Sequence, residues 1–211
     1  MGAMNVWFTA DLHLGHTNIV GYCGRPYRSA EDMDASLVAL WNATVAPRDE
    51  VWVLGDVAMG RIADSLALVR LLNGTKRLVA GNHDRCFEAP RGRAKAARSE
   101  DSYLDAGFTE VAHGTLSVEV EGRRVLACHF PFEGDSHGQD RYVEHRPRDD
   151  GRAWLLHGHV HDSYLQRGRM INVGVDAWAG RPVSATTLAG VIDGGPADRA
   201  PLAWVAPAHP D

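Results

Sequence analysis

Five short blocks carry the side chains best suited to do chemistry: Asp11-Leu12-His13, Gly55-Asp56, Gly81-Asn82-His83-Asp84, Cys128-His129 and His157-Gly158-His159-Val160-His161. Singly, each is a common kind of turn. Together they offer the carboxylate, amide and imidazole donors that a pair of hard-to-borderline divalent cations takes. Most of the blocks directly follow a short β-branched or apolar run that reads as a buried strand. This puts the donors at strand ends, where α/β sheets gather their sites. In an Asp-x-His at a strand exit, alternate residues share a face, so Asp11 and His13 could grip one ion together. The chemistry implied is metal-assisted hydrolysis.

The elements that must position these donors follow from the apolar pattern. Residues 5–10 read as a buried strand ending at Asp11. Ser29 opens a helix, with Asp32 and Asp34 near its N-terminal end and Leu37, Leu40 and Trp41 at helical spacing. Pro47 and Asp49 break it, and residues 51–54 form a second strand leaving through Gly55-Asp56. An amphipathic helix over 62–72 closes on Asn73-Gly74, and a third strand over 76–80 precedes Gly81-Asn82-His83-Asp84. This alternation indicates a parallel sheet with crossover helices. Residues 88–99 are basic and Ala-rich, read as loop then helix. Strands over 115–120 and 123–128 around Glu121-Gly122 read as a β-hairpin, so the second half looks more antiparallel. Short strands over 153–156 and 170–173 follow. Residues 131–151 lack periodicity, and their His137, Arg141, His145, Arg146 and Arg148 would suit an anionic substrate. Residues 1–196 are expected to form one domain, and 197–211 a poorly ordered C-terminal tail.

The bulk numbers exclude several classes. The 211 residues are 45% hydrophobic and 23% charged, ordinary values for a globular chain. No apolar run approaches the roughly 18 to 20 residues of a membrane span, and the N-terminus lacks the basic and apolar regions of a signal peptide. A net charge of −5 argues against nucleic-acid binding through a broad basic surface. It leaves a nucleic-acid substrate open, because bound cations add local positive charge. The three cysteines, Cys23, Cys86 and Cys128, are an odd number without close pairing, so a reducing, cytoplasmic setting is expected.

The ordered set Asp-x-His, Gly-Asp, Gly-Asn-His-Asp, His, Gly-His-x-His resembles the calcineurin-like metallophosphoesterase superfamily, with every motif intact between Asp11 and His161. The words around Asp11 to Ile19 and Asn172 to Asp176 resemble a compact bacterial and phage subgroup. The resemblance implies an α/β fold, a β-sandwich of two mixed sheets flanked by helices. It also implies that Asp11, His13 and His161 hold one metal, that Asn82, His129 and His159 hold a second, and that Asp56 bridges the two. His83 then corresponds to the family's histidine beside the substrate phosphate, and Asp84 to the carboxylate that orients His83. The cofactors expected are two divalent metal ions, Mn²⁺ foremost, with Fe, Zn²⁺, Co²⁺ or Ni²⁺ also suited to such donors.

Around this centre His16, Asn18 and Arg25 are candidates for substrate binding, Arg25 because its planar fork can take two phosphate oxygens at once. His157 is expected beside the metal site without being a ligand. The reading is a binuclear metal-dependent phosphoesterase acting on phosphodiester bonds of a small phosphoester, nucleotide or nucleic-acid-end substrate, with no membrane partner. The alternatives are a phosphomonoesterase acting on nucleotides or phosphoproteins, and a scaffold that has kept the fold without catalysis. Oligomeric state has no signal in the chain.

Overall fold

The computed structural model describes residues 4–88, 93–136 and 138–204. The first half runs β1 (Val6–Thr9), α1 (Thr17–Tyr22), α2 (Ala30–Thr44), β2 (Glu50–Val53), α3 (Ile62–Ala67), β3 (Thr75–Val79), α4 (Arg93–Asp105) and β4 (Phe108–Ala112). The second half runs β5 (Leu116–Val120), β6 (Arg123–Ala127), β7 (Leu155–His157), β8 (Gln166–Gly168), β9 (Met170–Asn172), β10 (Val183–Ser184), α5 (Ala185–Asp193) and β11 (Ala197–Arg199).

Two mixed sheets result. One has the order β10-β1-β2-β3-β4, parallel from β1 to β4, with β10 antiparallel on its edge. The other has the order β11-β8-β9-β7-β6-β5. Side-chain alternation divides the apolar residues between two cores. Phe8, Leu54, Val79, Val125, Leu156 and Ile171 face the space between the sheets, and Leu188 and Val191 of α5 join them. Val51, Val53 and Leu78 face the other way and meet Met33, Leu37 and Trp41 of α2. The 4-residue spacing of those three explains why α2 forms here, and Ser29 caps it by accepting the Asp32 N–H at 3.2 Å.

The expected hairpin is present. β5 pairs antiparallel with β6 in the register Val120↔Arg123, and both turn residues have positive φ, Glu121 at 47° and Gly122 at 77°. This is the signature of the two-residue turn whose twist matches its strands. The second sheet is the more antiparallel of the two, as expected: β11–β8, β8–β9 and β5–β6 pair antiparallel, while β6–β7 and β7–β9 pair parallel. Three features depart from the sequence pattern. The helix expected over 62–72 stops at Ala67 and tightens into a 3-10 turn over Leu68–Leu71. Residues 197–199, expected within a disordered tail, form the edge strand β11 against β8; residues 205–211 lie outside those described. β4 and α5 carried no strong periodicity and were not anticipated. Among the described residues no helix is long and apolar enough to cross a membrane.

Candidate metal centre

The blocks at the ends of β1, β2, β3, β6 and β7 meet at one edge of the sandwich. Their backbone is unusual. Asp11, His13, Asp56, His159 and His161 all have φ between 50° and 72°, in the left-handed region that side chains with a Cβ avoid. Such conformations cost about 1–3 kcal/mol each and persist where surrounding structure holds them. Asp11 and His13 therefore converge through two left-handed bends beyond the end of β1, and not through the strand alternation expected for Asp-x-His. Glycines allow the close approach. A Cβ on Gly55 would lie 2.5 Å from His129 Nδ1 and 2.6 Å from Gly81 Cα.

Three observations define what the site can hold. The donor atoms of Asp11, His13 and His161 lie within 4.8 Å of one another, as do those of Asp11, Asp56 and His129. Asp56 Oδ2 sits between two imidazoles, 3.6 Å from His13 Nε2 and 3.5 Å from His129 Nε2. Asn82 Oδ1 lies 3.0 Å from both His129 Nε2 and His159 Nδ1. All seven side chains that the sequence singled out as possible ligands are thus brought together. The donor set fits divalent cations on a further ground: both ring nitrogens of His13 are buried with no hydrogen-bond partner among the described residues. Buried polar atoms are otherwise almost always paired. Burial, with the charges of His161 and Arg25, pushes the His13 pKa well below its usual value, and burial with the His129 charge brings His159 down to about 4. Both imidazoles are neutral, the form that ligates.

His83 occupies a different position. Its backbone N–H donates to Asp56 Oδ1 at 2.9 Å, while its ring, 5.3 Å from that of His13, faces a cavity of about 280 Å³. His16 lines the same cavity, its ring 5.3 Å from His13. The adjoining turn is anchored by Asp34 of α2, whose carboxylate accepts the Gly15 N–H at 2.9 Å. Asn18 is exposed on α1 and does not line the cavity.

Two expectations are corrected. Arg25 is not a phosphate clamp: it is 3% exposed, and its Nε and Nη2 each donate to Asp176 at 2.8 Å. Its Nη1 and Nη2 also donate to the carbonyls of Leu12 and Asp11, so the fork is spent on the loop that carries Asp11 and His13. Arg25→Met is expected to lower stability by about 3–5 kcal/mol, the cost of leaving Asp176 buried and unpaired. Urea unfolding checks this, and unchanged stability with a raised KM would return Arg25 to the substrate. Among the described residues the hydrogen bonds of Asp84 go to backbone N–H groups and the Tyr103 hydroxyl, not to the His83 ring. The fully buried Asp84 carboxylate accepts the N–H groups of Gly81 and Asp56 at 2.8 Å and of Val57 at 3.0 Å, clamping the β2 and β3 exits together. His157 is buried with Nδ1 2.7 Å from the Gly158 carbonyl and Nε2 3.4 Å from the Tyr164 hydroxyl, outside the donor groups, and burial brings its pKa down to about 3.

Supporting residues that the blocks did not reveal are Asp176, Asn172 and Asp135. Asp176 Oδ2 lies 3.3 Å from His161 Nδ1, and burial opposes its charge but Arg25 prevails, holding its pKa at about 2. Asn172 donates from Nδ2 to the carbonyls of His161 and Tyr164 and so shapes the Gly-His-x-His turn. Both fall within the word Asn172 to Asp176, which was legible as a resemblance only. Asp135 lies in the aperiodic 131–151 segment, where nothing in the pattern distinguished it. Of the basic residues expected there, Arg141 lines the cavity, Arg148 is exposed, and His137 lies outside the described residues.

A two-sheet sandwich with clustered Asp, Asn and His donors at one edge defines a metal-dependent hydrolase. The chain belongs to the calcineurin-like phosphoesterase superfamily, whose domain matches residues 4–189, and it is accordingly a phosphoric ester hydrolase. It is 40% identical over 184 residues to the Gene 66 protein of Mycobacterium phage D29, covering 82% of this chain and 89% of the phage protein. It is 31% identical over 205 residues to the Gene 66 protein of Mycobacterium phage L5, covering 90% and 94%. Among solved structures, AQ665 from Aquifex aeolicus, a protein of unknown function, shares the fold with a TM-score of 0.67. That match is at 22% identity and covers 90% of this chain and all of that one.

Proposed function

We propose that the protein is a binuclear metal-dependent phosphodiesterase acting on a nucleotide or nucleic-acid-type substrate. The observation that carries the reading is the position of Asp56 Oδ2 between His13 and His129, each of which belongs to a separate group of donors. Asp11, His13 and His161 would hold one cation, Asn82, His129 and His159 the other, and Asp56 would serve both. When bound, such a pair polarises phosphate oxygens and activates water as the nucleophile, with Mn²⁺ the foremost candidate.

The chain's own residues supply the rest. As water attacks phosphorus and the bond to the leaving oxygen breaks, that oxygen needs a proton. The His83 ring, facing the cavity, is placed to donate it through a ring N–H. His16 stands beside His13 at the mouth of the cavity, where it can hydrogen-bond a phosphate oxygen. Preference for a diester is supported by the cavity walls: Arg141 is the one Arg or Lys among the described lining residues, while Ile19, Tyr22 and Cys23 form an apolar side. A singly charged ester with a second organic group suits that lining better than a dianionic monoester.

The test is a comparison of bis-p-nitrophenyl phosphate with p-nitrophenyl phosphate in Mn²⁺, then nucleotides and oligonucleotides. The diester is expected to turn over faster, chelation should abolish activity, and added Mn²⁺ should restore it. A monoester preference would move the reading to phosphomonoesterase, and no hydrolysis with metal loaded would favour the scaffold.

A further inference from the structure

Behind His159, on the side away from Asn82, lies a carboxylate with no solvent exposure: that of Asp135. It comes from the 131–151 segment, which leaves β6 directly after His129. A buried carboxylate must be compensated, and here the partners point in two directions. On one side Asp135 Oδ2 lies 3.0 Å from His159 Nε2. On the other, Arg141 donates its backbone N–H at 3.0 Å, Nη2 at 2.8 Å and Nε at 3.3 Å to the same carboxylate. Arg146, itself 3% exposed, braces the arrangement by donating from Nη2 to the Arg141 carbonyl at 2.9 Å.

Each contact has a chemical consequence. An imidazole with a carboxylate against Nε2 carries its proton there, which leaves the Nδ1 lone pair facing Asn82 and His129. The guanidinium of Arg141 is held through Nε and Nη2, on a loop that brings it to the cavity lined by His13 and His83. One carboxylate therefore addresses both the imidazole that would ligate and the one Arg or Lys side chain that lines the cavity among the described residues.

We propose that Asp135 is a positioning residue that couples the 131–151 loop to the metal centre. It fixes His159 in the tautomer whose Nδ1 accepts a cation, and it seats Arg141 to receive a non-bridging oxygen of the phosphoester. The proposal rests on the phosphodiesterase reading, but its first readout does not depend on turnover. Mn²⁺ binding is titrated calorimetrically for the wild type, Asp135→Asn, Asp135→Glu and Arg141→Ala, with thermal melts establishing that each variant folds. Asp135→Asn is expected to weaken one Mn²⁺ site by about 10–100-fold, the usual effect of losing a carboxylate behind a ligating histidine. Asp135→Glu, which keeps the charge, should recover part of that affinity. Arg141→Ala should leave Mn²⁺ affinity unchanged and raise KM for bis-p-nitrophenyl phosphate by about 10–100-fold, as for a lost charge-assisted hydrogen bond. Adding it to Asp135→Asn should raise KM little further, because the seat of Arg141 is already lost. Wild-type Mn²⁺ affinity in Asp135→Asn, or equal weakening in Asp135→Asn and Arg141→Ala, would overturn the coupling; an unchanged KM in Arg141→Ala would overturn its second half. If no ester is hydrolysed by the wild type, the phosphodiesterase reading fails while the Mn²⁺ titrations still decide the role of Asp135.

Discussion

Replacing His83 by alanine is expected to lower kcat by about 10²–10⁴-fold, the range for loss of a positioned general acid, while both cation sites fill as in the wild type. The structural basis is a division of labour within one residue. The backbone N–H of His83, retained in alanine, holds Asp56 Oδ1 at 2.9 Å, whereas only the ring faces the cavity. The substitution thus removes the proton donor and spares the support of Asp56. The size of the effect should depend on the leaving group. A p-nitrophenolate departs without a proton, so its ester should suffer less than an alkyl or nucleoside ester of the same phosphate. Elemental analysis beside kinetics separates the outcomes: loss of a metal from the variant would make the ring a ligand, and equal losses on both kinds of ester would remove its role as acid.

The second large effect is expected at Asp56. Asp56→Asn should reduce metal content from two ions per chain to one or none. Turnover should fall by at least the roughly 10²–10³-fold that removal of one electrostatic stabiliser costs. Asparagine is the informative choice because residue 56 has φ 57°, a conformation that Asn tolerates better than other non-glycine residues. The loop should keep its shape, so the loss falls on the charge of Oδ2 between His13 and His129. Full activity with two bound metals in Asp56→Asn would remove Asp56 from its place between the cations.

Much of this architecture was legible from local pattern. Short apolar runs ending in Asp, Asn or His marked β1, β2, β3 and β6, and the spacing of Leu37, Leu40 and Trp41 marked α2. Residues whose role depends on a distant partner were not legible. Arg25 next to Pro26 on a loop beside the first block resembles a phosphate clamp until Asp176, 151 residues away, is seen to occupy its fork. Asp84 stands next to His83 in the chain, which suggested a pair, yet its carboxylate turns to the backbone of Asp56 and Val57. Edge strands such as β11 were missed because three residues with one partner strand need no apolar periodicity to pair.

By itself, the sequence determined the kind of chemistry: which donors exist, in what order, and that each follows a strand, because these depend on residue type and on contacts close in the chain. Only the tertiary structure decided how the donors meet. The two sheets gather turns from five strands, β1, β2 and β3 of one and β6 and β7 of the other, at one edge, and left-handed bends at Asp11, His13, Asp56, His159 and His161 turn the side chains onto a common centre. Burial then assigns the remaining polar groups. Where water is excluded, a charge must find a partner, and that partner fixes whether a side chain faces a substrate, a cation or the protein's own backbone.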